Sequence, residues 1–155
     1  KSNISGWHSN SFDMENKSVL NFFKSIQVNL NKAIVDMGWN NEVNQFKVTS
    51  AWSIINKKTS SNSRHIHSNN YISAAYYVKA PKNCGDIIFY DPRDAKVIRK
   101  PKGINGNNLN ADAINITPQE GLLVLFPSYL YHSVNENLSE DERIVISFNL
   151  DIKNS

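Results

Sequence analysis

Between Ser18 and Met37 the apolar residues Val19, Leu20, Phe22, Phe23, Ile26, Leu30, Ala33, Ile34 and Met37 recur at helical spacing. The pattern predicts one amphipathic helix over 18–37. Asp13, Asn16 or Ser18 supplies its N-terminal cap, and Gly38 stands where a left-handed C-terminal residue is wanted. Its apolar stripe carries nothing polar that chemistry could use, so the helix reads as a brace against a sheet. Beyond it the texture changes to short runs of β-branched and aromatic residues separated by Asn, Gly, Pro and Ser. Candidate strands are Val48–Asn56, Arg64–His67, Ile72–Val78, Asp86–Tyr90, Ala113–Ile116, Leu122–Phe126, Tyr131–Val134 and Arg143–Leu150. An all-β core of this kind, with one N-terminal helix, suits a two-sheet jelly roll, or double-stranded β-helix. The polar, Gly- and Asn-rich stretch Arg93–Asn110 reads as a mobile or functional loop.

No internal repeat or linker interrupts this pattern, and 155 residues is an ordinary size for one domain, 1–155. Apolar residues at 40% and charged residues at 20% describe a soluble globule and argue against wholesale disorder. The net charge of +3 is scattered along the chain, which argues against nucleic acid as a partner. The short cluster Lys96, Arg99, Lys100 and Lys102 could help attract an acidic partner, but reads first as a solvated loop face. Cys84 is the only cysteine, so an intrachain disulfide and a cysteine-built zinc site are both excluded, and a reducing compartment suits it. No apolar run is long enough to span a bilayer and the polar start is no signal peptide, so the expected location is cytoplasmic. The missing initiating Met suggests a trimmed fragment of a longer chain.

Chemistry enters with His65, His67, His132 and Arg143. On a strand, His65-Ile66-His67 sends both imidazoles from one face with Cα atoms about 6.6 Å apart, so one ion can bind both. His132 opens the strand that follows Tyr131, and Arg143 heads the last strand; a hairpin would bring these two together. Neutral imidazole is a good ligand for divalent iron, copper, nickel and zinc, and three leave positions open for a substrate or oxygen. Redox-active ferrous sites usually add a carboxylate, for which Asp91, at the end of Ile87–Tyr90, is the best candidate. Asp before Pro is equally a turn initiator, and both readings stay open. Arg143 shares a strand face with Ser147, a pairing suited to a carboxylate, although Glu140, Asp141 and Glu142 would also suit a solvated edge charge. His8 reads as a surface or hydrogen-bonded histidine, and Trp7, Trp39 and Trp52 as core, with pocket lining the alternative for each.

The order His65-Ile66-His67, Tyr76-Tyr77, Gly85–Phe89, Gly121–Pro127, His132, Arg143 resembles the 2-oxoglutarate and Fe(II) dependent oxygenases, close to their prolyl-hydroxylase-like branch. The match runs from about Trp52 to Leu150. His-x-His-Ser-Asn, Asp-Pro-Arg, Leu-Phe-Pro-Ser and Arg-Ile-Val-Ile-Ser-Phe-Asn further resemble a group of oxygenases common in bacteria and their phages. The resemblance implies that His132 is the distal iron ligand, that Arg143 pairs with the far carboxylate of 2-oxoglutarate, and that Tyr77 and Ser147 assist it. It also implies Fe(II), 2-oxoglutarate and dioxygen as reactants, succinate and carbon dioxide as products, and hydroxylation of a prolyl residue or a small molecule.

This chain departs from the family at His67, which stands where His-x-Asp would place the carboxylate. Three ligand sets remain: His65, His67 and His132; His67, Asp91 and His132; or a set beginning at His67 with Asn69 in the acid position, the weakest because an amide is a poor ligand. Two other functions compete. One is a noncatalytic jelly-roll binding module; the other is a cupin-type metalloenzyme without 2-oxoglutarate, which has no reason to keep a cation at Arg143.

Overall fold

The computed structural model describes residues 2–39, 45–94, 99, 101–103, 105–107 and 110–152. Lys96 and Lys100 of the basic cluster, with other parts of the Arg93–Asn110 segment, lie outside the described residues. Helix α1 spans Lys17–Asp36. Asn16 caps it, its side-chain oxygen accepting from the Ser18 N–H at 2.9 Å. Met37 closes it, and Gly38 at φ +80 lets the Gly38 and Trp39 amides bond back to the Val35 and Ile34 carbonyls. The buried stripe Ile26, Leu30 and Ile34 follows the 3.6-residue period.

Among the described residues the strands form two five-stranded antiparallel sheets. The strands are β1 (Asn3–Ile4), β2 (Trp7–His8), β3 (Phe46–Asn56), β4 (Ser61–His65) and β5 (Ile72–Lys79), then β6 (Ile87–Tyr90), β7 (Ala113–Ile116), β8 (Leu123–Pro127), β9 (His132–Val134) and β10 (Arg143–Ile152). One sheet has the order β1-β4-β9-β6-β7, the other β2-β3-β10-β5-β8. From β3 onward the chain switches sheets at every step except the β6–β7 pair, which is the jelly-roll winding expected from the strand pattern.

Strand alternation gives the second sheet two different faces. Ala51, Ile72, Ala74, Phe148 and Leu150 face α1 and form one core with it. Each of the three buried α1 side chains adds about 1.5–3 kcal/mol of burial. Ala75, Tyr77 and Val145 face the opposite sheet and pack with Ile87, Phe89, Val124 and Phe126. Trp7 and Trp39, expected in the core, are instead 54% and 36% exposed.

Three local expectations change. Strand β4 ends at His65, so His67 lies in the following loop rather than on a strand. β9 and β10 form no hairpin: they belong to opposite sheets, and His132 and Arg143 therefore approach one space from two walls. The N-terminal residues, for which no strand was expected, pair with both sheets. β1 adds to β4 and β2 to β3, so residues 2–8 strap the two sheets together along one side. Gly6 makes the crossing possible, because a Cβ there would lie 2.2 Å from Asn56 Oδ1. No described helix is long and apolar enough to cross a membrane.

Candidate functional site

A cavity of about 200 Å³ lies between the sheets, and its lining includes His65, His67, His132, Tyr77, Arg143 and Ser147. Six of the seven residues singled out from the sequence thus face one space. No Asp or Glu is among the described residues lining it.

The three imidazoles converge so that one ligand nitrogen from each lies within 4.8 Å of the others. β4 and β9 pair antiparallel with His65 opposite His132, which places their rings 4.1 Å apart between centroids. His67 reaches the cluster from the loop because its amide is held by the Ser128 carbonyl at 3.0 Å. Ser128 is itself fully buried, and its hydroxyl joins a chain through Ser73 to Asn149 and Ser50 that runs across the second sheet. This network fixes the loop that carries His67.

The His67 and His132 rings stack within 7° of parallel, with their Nε2 atoms 3.3 Å apart. Two nitrogens bound at about 2.1 Å to one ion at octahedral or tetrahedral angles stand about 3.0–3.4 Å apart. The spacing fits a shared cation. On His132 the Nδ1–H donates to the Leu130 carbonyl at 3.0 Å, and on His65 the Nδ1–H donates to the Ser63 carbonyl at 2.7 Å. A neutral ring so bonded keeps its lone pair on Nε2. Burial, with the neighbouring imidazoles, holds both His67 and His132 down at about 4, and burial lowers His65 as well. All three are therefore neutral donors at pH 7, which is the form a metal needs.

Asp91 is not part of this cluster. Its partner strand was read correctly, since β6 pairs antiparallel with β9 and Phe89 lies opposite His132. The strand then ends at Tyr90, and the Asp91 carboxylate turns back as a local cap. It accepts from the Arg93 amide at 3.0 Å and from the Arg93 guanidinium at 2.9 and 2.8 Å. It lines a separate surface depression with Pro92, Arg93 and Ile114. Turn chemistry outcompeted the ligand role. Asn69, the third alternative, is not among the described residues lining the cavity.

Arg143 is 2% exposed, so the solvated-edge reading of this charge fails. Nη1 donates to the carbonyls of Cys84, of Gly85 at 3.0 Å and of Asn135 at 3.4 Å. Gly85, at φ +89, is required there, because a Cβ would stand 2.3 Å from the Asn135 carbonyl oxygen. Nε and Nη2 make no hydrogen bond to a described residue, which leaves one edge of the guanidinium uncommitted. Burial lowers the Arg143 pKa from its ordinary value and raises that of the Tyr77 phenol, whose hydroxyl also has no partner among the described residues. Val145, between Arg143 and Ser147, registers with Tyr77 across β5, so these groups share one wall. The arrangement offers several donors and one fixed positive charge, which suits a carboxylate.

Three further residues line the cavity: Ser2, which was missed, His8, which was set aside, and Trp52, for which lining was the second reading. His8 stacks on Trp52, and Trp52 on His67, at 5.8 and 5.7 Å between centroids. The Trp52 Nε1–H is buried without a partner in the described structure. Two-residue strands have no periodicity, so nothing in the pattern of residues 1–10 signalled that this segment reaches the site.

A family model described as "Putative 2OG-Fe(II) oxygenase" matches residues 50–149. No curated protein sequence matches the chain. Among solved structures, an oxidoreductase of the 2OG-Fe(II) oxygenase family from Burkholderia pseudomallei aligns with a TM-score of 0.64 at 11% identity, over 87% of this chain and 57% of that one. The chain spans little more than half of that protein. A viral collagen prolyl hydroxylase from Paramecium Bursaria Chlorella virus-1 aligns at 0.62 and 12% identity, over 94% of this chain and 78% of that one. A Pseudomonas putida prolyl-4-hydroxylase aligns at 0.61 and 14%, over 96% and 73%. At such identities the likeness establishes the fold.

Proposed function

The chain belongs to the 2OG-Fe(II) oxygenase family, and from that premise we propose that residues 1–155 act as one catalytic unit, a 2-oxoglutarate-dependent hydroxylase. The observation that carries this reading is a single cavity with three convergent imidazoles and, in its wall, a buried guanidinium with an uncommitted edge. The donor set fits Fe(II): neutral imidazole suits it, and the ring spacing matches two ligands on one ion. The remaining donors fit a dicarboxylate, because Arg143, Tyr77 and Ser147 line one space and a carboxylate can accept from all three.

In this reading His67 and His132 hold the cation, and His65 is the third ligand in place of the missing carboxylate. Arg143 fixes the far carboxylate of 2-oxoglutarate, with Tyr77 and Ser147 donating to the same group. Bound there, iron and 2-oxoglutarate would supply dioxygen activation coupled to decarboxylation of the cosubstrate, giving succinate, carbon dioxide and a hydroxylated C–H bond. The chain's own part is positional. The Cys84, Gly85 and Asn135 carbonyls hold the guanidinium still, the Leu130 carbonyl fixes the His132 tautomer, and Phe89, Phe126 and Trp52 keep the space around the rings apolar. The substrate is a prolyl residue in a peptide or a small molecule; the prolyl hydroxylases among the structural neighbours favour the first.

The test is anaerobic addition of Fe(II) and 2-oxoglutarate followed by air, with succinate measured against an Arg143→Gln control. A visible Fe(II)–2-oxoglutarate charge-transfer band and Arg143-dependent succinate are expected. Binding of iron without any binding of 2-oxoglutarate would favour the cupin-type alternative, and binding of neither the noncatalytic module.

A further inference from the structure

We infer that the Ser2 hydroxyl competes with the metal ion for His65 Nε2, so that the N-terminal strap governs whether the centre is built from two histidines or three. The inference rests on the preceding reading that the cluster binds a divalent cation.

The argument turns on proton positions that chemistry dictates. The Ser63 carbonyl only accepts, so the 2.7 Å contact puts the ring proton of neutral His65 on Nδ1. Nε2 is then a bare lone pair. Ser2 Oγ lies 3.2 Å from it and must be the donor. The same hydroxyl oxygen accepts from Asn62 Nδ2 at 3.4 Å, which is consistent with its proton pointing toward the ring. An imidazole nitrogen has one in-plane lone pair. It cannot accept a proton and coordinate an ion together.

The other two rings are bonded to each other: the Leu130 carbonyl takes the Nδ1 proton of His132, so His132 Nε2 accepts from His67 Nε2–H at 3.3 Å. Moving the His67 proton to Nδ1 frees both lone pairs for one ion without displacing a group from outside the cluster, whereas His65 Nε2 is covered by a hydroxyl. The cover is firmly held, because the Ser2 carbonyl accepts from the Ser63 amide at 2.9 Å and from Ser63 Oγ at 3.2 Å, while β1 and β2 pin the following residues to both sheets. Ser2 also lies outside the matched residues 50–149. With Ser2 engaged, the cation sees two imidazoles and has more positions left for other ligands. With Ser2 released, the third imidazole tightens the site.

The test uses Co(II) alone, titrated by calorimetry and by its visible d–d absorption into the parent, Ser2→Ala, His65→Ala and the double variant. Removing a competing hydrogen bond should make Ser2→Ala bind Co(II) about three- to tenfold more tightly than the parent. It should also shift the d–d spectrum, and in the His65→Ala background the same substitution should change neither. A Ser2→Ala variant that binds equally or more weakly, or gains as much without His65, overturns the inference. A second measurement needs no variant: long-range proton–nitrogen spectra of the metal-free parent should show His65 as the Nδ1–H tautomer, and an Nε2–H ring sinks the idea. Failure of the parent to bind Co(II) at all removes the metal-centre reading and this inference with it, an outcome distinct from binding that ignores Ser2.

Discussion

The imidazole cluster, with His132 buried and His65 and His67 half-buried, and the buried Arg143 wall border the same cavity, yet desolvation does opposite things to them. Around His67 and His132 desolvation removes the proton, leaving neutral rings whose lone pairs are available. Arg143 keeps its proton in any accessible range, so the fold must solvate it instead, with three backbone carbonyls on Nη1. One region becomes a set of ligands and the other a clamp, and the difference lies in the intrinsic basicity of the side chains rather than in their surroundings.

If the two regions are separable, each should fail alone. The largest effect is expected from His132→Ala, which should abolish Fe(II) binding in an anaerobic titration, since it removes the ligand opposite both other rings. Arg143→Gln should leave binding of metal alone within about twofold while weakening 2-oxoglutarate by about 1.5–3 kcal/mol, the scale of a lost charge-assisted hydrogen bond. A comparable loss of metal affinity in that variant would show that the two regions act as one.

Acid should distinguish them next. His67 and His132 titrate at about 4 when folded and at the ordinary 6.5 when unfolded, so the unfolded chain binds more protons between those values. Stability of the metal-free protein should therefore fall as pH drops from about 6.5 toward 4, by at most about 1.4 kcal/mol per unit for each ring, and stay flat on their account above 7. Urea unfolding at pH 5 and 7 checks the sign. Tyr77→Phe should cost about 0.5–1.5 kcal/mol of 2-oxoglutarate affinity and nothing in metal affinity. Asp91→Asn should be the smallest of all, with Fe(II) binding unchanged, because its carboxylate serves Arg93. A marked loss of iron affinity there would restore it to the site.

The helix and the eight core strands were legible because their signals are local. The 3.6-residue stripe of α1 and the β-branched runs need no distant partner to be recognised. Of the two readings of Asp91 the structure shows the turn: the β6–β9 pairing was readable, but whether the acid pointed inward or capped its own turn depended on where the strand stopped.

From residues alone came the fold class, the histidine and arginine candidates and the likeness to an oxygenase family, all properties of residue type and order. Tertiary structure alone decided that β9 and β10 face each other across a cavity, that the rings of His65, His67 and His132 converge in it, and that Ser2 and His8 join the lining. Those facts arise from contacts between residues far apart in the chain, and periodicity within a segment holds no information about which remote hydroxyl will meet which lone pair.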